Sequence, residues 1–130
     1  KASFPNHVFM CLLFYKSTSF LLAKIPTKSL ESDTFDLYSP VDIRIKPNEF
    51  VYINTGVNCA IPEGFLGVVA GIPSLLENSL VINGEMISVQ SEIIVVACNV
   101  GFETIWLSRL HSIAQLVIAK NFSSTCVFSE

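Results

Sequence analysis

Charge is what this chain has least of. Only 15% of its 130 residues are charged, against about a quarter in an ordinary globular chain. Eight are lysine or arginine and eleven are acidic, for a net charge of −3. There is no basic run, so no duplex nucleic-acid partner is expected. Pro47 to Ser108 contains no lysine or arginine, and no aspartate follows Asp42. Long apolar runs are missing too. The run from Val8 to Phe14 is too short to span a bilayer and meets Tyr15, Lys16 and Ser17. No small-residue cleavage site follows it, so it reads as a first strand, and no membrane partner is expected. Cysteine pairs at metal-ligand spacing are absent: Cys11, Cys59, Cys98 and Cys126 stand far apart. They read as reduced, mostly buried thiols of an intracellular protein.

What is abundant is apolar side chain, 51% of the residues. That excludes a disordered or coiled-coil chain and is enough for one core in a single domain, residues 1–130. The apolar residues come in short runs cut by turn residues. Val41, Ile43 and Ile45 alternate with Asp42, Arg44 and Lys46, which is strand periodicity. Further strands are expected at Phe50–Asn54, Val57–Ile61, Phe65–Ala70, Leu80–Ile82, Ile93–Cys98, Thr104–Leu107 and Ile113–Ala119. Thr55-Gly56 reads as a break, and Pro62-Glu63-Gly64 as a type I turn with Pro second and Gly fourth. Asn83-Gly84 reads as a hairpin signal. No sustained helical stripe occurs. One short helix is expected near Leu75–Asn78, with Ser74 and Glu77 as a capping box. The expectation is an all-β jelly-roll or distorted barrel with at most that one helix.

Five segments resemble, in order, the motifs of the dUTPase family. Ser32-Asp33-Thr34-Phe35-Asp36-Leu37-Tyr38-Ser39 resembles its first motif, and Ile53-Asn54-Thr55-Gly56-Val57 its I-x-T-G-V strands. Pro62-Glu63-Gly64-Phe65-Leu66-Gly67 resembles the turn before the second motif. Leu80-Val81-Ile82-Asn83-Gly84 resembles the start of the uracil-binding hairpin, best matched by retroviral forms. Ile113-Ala114-Gln115-Leu116 resembles the fourth motif. The resemblance covers about residues 20–120. It implies a jelly-roll subunit of a homotrimer with active sites shared between subunits. It also implies magnesium-dependent cleavage of dUTP to dUMP and pyrophosphate.

Hydrolysis of a triphosphate needs a carboxylate to activate water, cations for the phosphates and a pocket for the base. The positions that carry these in the family are altered here. Its phosphate-binding arginine aligns with Ile72 and its serine with Pro73, which lacks even a backbone N–H. Ser74 follows, as a helix cap or a phosphate contact. The third motif has lost its aspartate and tyrosine and is about two residues short. Glu85 is a weak candidate for a replacement base; a solvated loop charge is the plainer reading. Asn83, Gly84 and Gln115 are nucleotide-binding remnants, and His111 is a lone histidine. Asp36 is a magnesium-binding remnant, alone a poor site for a hard cation. Phe122-Ser123-Ser124-Thr125-Cys126 echoes the fifth motif without its glycines.

The expectation is therefore a non-catalytic dUTPase-like protein with no cofactor, acting through protein partners. It looks like virus-encoded relatives such as the adenoviral early-region protein derived from dUTPase. The alternative is a divergent dUTP diphosphatase using magnesium, Asp36, Glu85 and Gln115. A third reading is a decayed domain of a retroviral polyprotein.

Overall fold

The computed structural model describes residues 12–17, 22–28, 34–87 and 90–120. In chain order these form β1 (Leu13–Lys16), β2 (Thr27–Lys28), β3 (Thr34–Leu37), β4 (Ile43–Ile45), β5 (Phe50–Ala60) and β6 (Phe65–Ala70). Then come α1 (Pro73–Glu77), β7 (Leu80–Asn83), β8 (Glu85–Ile87), β9 (Gln90–Asn99), β10 (Ile105–Leu107) and β11 (Ala114–Lys120). One sheet runs β1-β5-β9-β7 and a second β2-β3-β11-β6-β8, with a two-stranded ribbon of β10 and β4. Every pairing is antiparallel. This is the all-β jelly-roll expected, with one short helix.

The alternation read from the sequence is what closes the core. Ile93, Val95 and Ala97 of β9 are fully buried, as are Ala114 and Leu116 of β11, while their neighbours point outward. Leu37, Val69 and Leu80 join them in one cluster between the sheets. Val41 is the exception. It lies 52% exposed before β4, where the Ser39 hydroxyl donates to its carbonyl at 2.6 Å.

Four local expectations are corrected. Thr55-Gly56 does not end a strand. β5 runs through it with a bulge between Asn54 and Asn58. Gly56 takes φ 74°, which side chains disfavour, and its N–H is held by the Asn54 side chain at 2.8 Å. The Thr55 hydroxyl, fully enclosed, donates to the Ile93 carbonyl at 2.6 Å. The turn after β5 is shifted by one residue: Phe65 N–H donates to Pro62 O, and Gly64 sits third at φ 89°. A positive φ there is the type II arrangement, not type I. Asn83-Gly84 makes no hairpin. β7 pairs with β9 and β8 with β6, so the dipeptide carries the chain from one sheet to the other. Finally, α1 starts on Pro73 at N1 after Ile72, with no side-chain cap. Proline already satisfies that position, so Ser74 lies inside the helix and caps nothing.

Asn99, buried at the end of β9, ties the ribbon to the main body. Its amide donates to Ile45 O at 2.9 Å and to Glu103 O at 2.7 Å. Its Oδ1 accepts from Gly101 N–H at 2.9 Å. Cys59 is buried and Cys98 half-buried, both free thiols; Cys11 and Cys126 lie outside the described residues. Burial pushes the Cys59 thiol above its usual range.

Candidate functional site

The second sheet builds the site by register. Asp36 of β3 lies opposite Gln115 of β11, and Gln115 lies opposite Ala70 of β6. Thr27 of β2 extends the row on the other side of Asp36. The flanking residues Leu37, Ala114, Leu116 and Val69 all face the core. The period of two therefore turns Asp36 and Gln115 to the opposite face. There they line a cavity of about 630 Å³ together with Ile72, Ser74, Trp106 and His111.

Each wall has a local cause. Ile72 and Ser74 reach the cavity because β6 ends at Ala70 and Pro73 at once starts the helix. The opposite wall is the turn after β10. Asp42 accepts from Arg109 N–H at 2.8 Å, and the Ser108 hydroxyl accepts from Leu110 N–H at 3.1 Å. His111 N–H donates to Ser108 O at 3.2 Å, which closes the turn. Beyond it, Ile113 N–H donates to Leu37 O at 2.9 Å and starts the β11 register that delivers Gln115.

The structure thus brings together Asp36, Ser74 and Gln115. Asn83, Gly84 and Glu85 are elsewhere. Glu85 lies on edge strand β8, opposite Val69. Three strand spacings separate β8 from β3, roughly 14 Å. Cross-strand partners share a face, and Val69 faces the core, so Glu85 stands on the other side of the sheet from Gln115. Within one chain Glu85 is not a base for this cavity. The echo at Phe122–Cys126 lies outside the described residues.

The cavity's chemistry is that of one carboxylate, three serines, an amide and a histidine among apolar walls. Among the described residues no lysine or arginine lines it, and Ile72 forms part of its wall. The donor set does not fit a resident magnesium ion. Asp36 is the only carboxylate among the described residues of the lining, and a hard cation takes six or more oxygens. Among the described residues, no group of three or more histidines, cysteines, aspartates or glutamates could hold a metal.

Trp106 is the site residue that sequence reasoning missed. Its signal was available: in Ile105-Trp106-Leu107, an inward Leu107 sends the tryptophan outward. It is 71% exposed. It lines a second cavity as well, of about 730 Å³, with Leu75, Glu77, Phe102 and Glu103. Arg44, its register partner on β4, sits over its ring at 5.8 Å.

The dUTPase family model matches residues 22–129. The chain is 33% identical over 116 residues to the Pol polyprotein of equine infectious anemia virus (strain Wyoming), a match covering 88% of this chain. That match spans only 10% of the polyprotein. The chain is 31% identical over 112 residues to the deoxyuridine 5'-triphosphate nucleotidohydrolase of Yaba monkey tumor virus, covering 83% of this chain and 78% of that protein. The native dUTPase structure of equine infectious anemia virus superposes with a TM-score of 0.76 at 30% identity, over 92% of this chain and 97% of that one. A point mutant of the dUTPase of phage phi11 of S. aureus, described with a structural Mg(II) ion, has a TM-score of 0.80 at 19% identity. That match covers 92% of this chain and 97% of the phage enzyme and speaks to the fold.

Proposed function

Because the chain belongs to the dUTPase family, we propose that it keeps the family's cleft without dUTP hydrolysis and acts through protein partners. One observation carries the reading: the cavity that gathers Asp36, Ser74 and Gln115 has Ile72 in its wall and, among the described residues, no lysine or arginine in its lining. A triphosphate brings roughly three to four negative charges. Placing them beside Asp36 with no countercharge costs several kcal/mol. Losing one group that stabilises a transition state commonly costs a hundredfold or more in rate.

The protein is a homotrimer in this proposal. Support comes from the outer face of the β1-β5-β9-β7 sheet, where Phe50 (59% exposed) and Tyr52 (72% exposed) meet edge to face at 6.0 Å. Such a face is more stable covered by a second copy than in water. It works inside the cell, where Cys59 and Cys98 persist as thiols.

A second reading keeps the hydrolase. The register pair Asp36–Gln115 favours it, as does the likeness to a viral nucleotidohydrolase. It requires Glu85 of a second subunit, since each chain's own Glu85 faces away. Pyrophosphate release from purified protein with dUTP and magnesium decides between them. The expected result is background that Asp36→Asn and Glu85→Gln leave unchanged. Turnover that survives purification and disappears in either variant would overturn the non-catalytic reading.

A further inference from the structure

The two cavities meet at a shared wall of Leu75 and Trp106. Taken together, their lining holds three carboxylates: Asp36 on one side, Glu77 and Glu103 on the other. Among the described residues no lysine or arginine belongs to either lining, and His111 is the one other titratable group there. The cleft is thus acid, aromatic and apolar where a nucleotide site needs cations. Resting on the non-catalytic reading above, we propose that this double cleft docks a basic segment of a protein partner, with lysine or arginine side chains crossing Trp106.

Charge complementarity selects the occupant. A phosphate-bearing ligand meets three carboxylates against one nearby arginine, Arg44 over the Trp106 ring, so nucleotides and nucleic acids are disfavoured. A plain apolar segment would leave those carboxylates facing an unpaired, desolvating partner. Lysine and arginine answer both features: their stems lie along apolar wall such as Ile72, Leu75 and Phe102 while their heads reach carboxylate. Trp106 is the best aromatic platform for a cation. Arg44 already lies over its ring at 5.8 Å, so this tryptophan accepts a guanidinium in the unliganded protein. That arginine is the nearest competing cation, and a docking segment must share the ring with it or displace it. The site is built on held backbone. Asn99 bonds Glu103 O and Gly101 N–H, which positions the loop carrying Phe102 and Glu103. Asp42 holds the turn that follows Trp106.

The chain supplies its own reporter, because Trp106 is its only tryptophan. The full-length protein would be titrated with three probes while its fluorescence is followed. These are a ten-residue peptide alternating arginine with alanine, the same peptide with glutamate for arginine, and free spermine. The expected result is saturable binding of the arginine peptide alone, weakened by added salt. The double variant Glu77→Gln/Glu103→Gln should weaken it about tenfold. Both glutamates are exposed surface residues, and circular dichroism checks that the fold is kept. No saturable binding, or equal binding by the double variant, would overturn the proposal. Equal binding of spermine would overturn the protein partner and assign a free polyamine instead. The pyrophosphate assay stays separate. Failure of peptide binding without dUTP turnover removes only this docking site, whereas turnover removes the function it rests on.

Discussion

Replacing Asn99 with leucine should cost this fold more than any other single polar substitution in the described residues. The side chain is fully buried and makes three hydrogen bonds, to Ile45 O, Glu103 O and Gly101 N–H, all at 2.9 Å or less. Leucine has the same number of side-chain heavy atoms and no polar group to bury, but its methyls are bulkier, so it also strains a fully buried site. The Ile45 carbonyl, however, loses its partner where water cannot replace it, and the part-buried Glu103 carbonyl and Gly101 N–H are only partly resolvated. A net hydrogen bond contributes about 1 kcal/mol, and an orphaned buried group costs about 1–3 kcal/mol. Allowing for some relaxation of the loop and the gain from added apolar surface, the expected loss is about 3–5 kcal/mol. That is a large part of the roughly 5–15 kcal/mol that holds a domain together. In urea, with a slope of about 1–3 kcal/mol per molar, the midpoint should fall by roughly 2 M with the slope unchanged. Protein concentration must be held fixed, since an oligomer's midpoint moves with it. Asn99→Asp sharpens the test: it keeps the acceptor for Gly101 but aims a carboxylate at two carbonyl oxygens. That carboxyl is then harder to ionise in the folded state, so its folded value is raised. By linkage the variant is most stable below the ordinary aspartate range and loses stability as pH rises through the raised value. A leucine variant within about 0.5 kcal/mol of the parent, inside the range of ordinary surface substitutions, would refute the bracing role given to Asn99.

Other outcomes follow from single groups. Gly56→Ala, forced to φ 74°, should destabilise by about 1–2 kcal/mol in the same urea titration. Tyr52→Glu, on a side chain 72% exposed, should leave circular dichroism unchanged and, if the proposed homotrimer forms, shift sedimentation from trimer to monomer. Cys59 should resist a thiol reagent at pH 8 until urea unfolds the protein. Because its pKa is raised by burial, the stability it contributes is full below the unfolded thiol value, about 8.5, and lost as pH rises past that toward the folded value. Reaction of Cys59 at the rate of an unfolded control would contradict its burial.

Much of the fold was legible because the core obeys a period of two. Phe65–Ala70 is the strand the alternation predicts, and β7, β9 and β11 lie within a few residues of their expected bounds. What the pattern hid is where backbone departs from that period. Thr55-Gly56 looks like a break because glycine weakens a strand interior, although threonine is a good strand former. The bulge is held by the Asn54 side chain on Gly56 N–H and by a threonine hydroxyl bonding across to Ile93 O, a partner 38 residues away. Asn83-Gly84 has hairpin chemistry, yet Val81 and Ile82 find better pairing with β9 and Met86 with β6. Tertiary pairing overrode the local turn preference. The site was legible in the same uneven way. Motif resemblance led to Asp36, Ser74 and Gln115, which share a cavity. It also led to Glu85, and only the sheet order reveals that this carboxylate faces the other side.

That unevenness explains how a cleft can persist while its charge changes. The residues that place Asp36 opposite Gln115 are not the two themselves. They are Leu37, Ala114, Leu116 and Val69, whose burial sets the register of three strands at once. A one-residue slip would turn all of them to water, so the frame is as stable as the core. The side chains on the outer face carry no such duty. Ile72 touches the cavity from a loop between β6 and α1, half-buried and outside any ladder. An arginine or an isoleucine fits that position at little cost to folding, because Pro73 alone fixes where the helix begins. The cleft's shape is therefore a property of the core and its electrostatic sign a property of a few unconstrained positions. Folding measurements and binding measurements should report on separate residues. Ile72→Arg should leave the unfolding free energy from the urea titration within about 0.5 kcal/mol of the parent. It should also lower the affinity for the arginine peptide, by placing a cation in the wall beside Asp36. A large loss of stability would show that the isoleucine packs as core, and the division between frame and chemistry would fail.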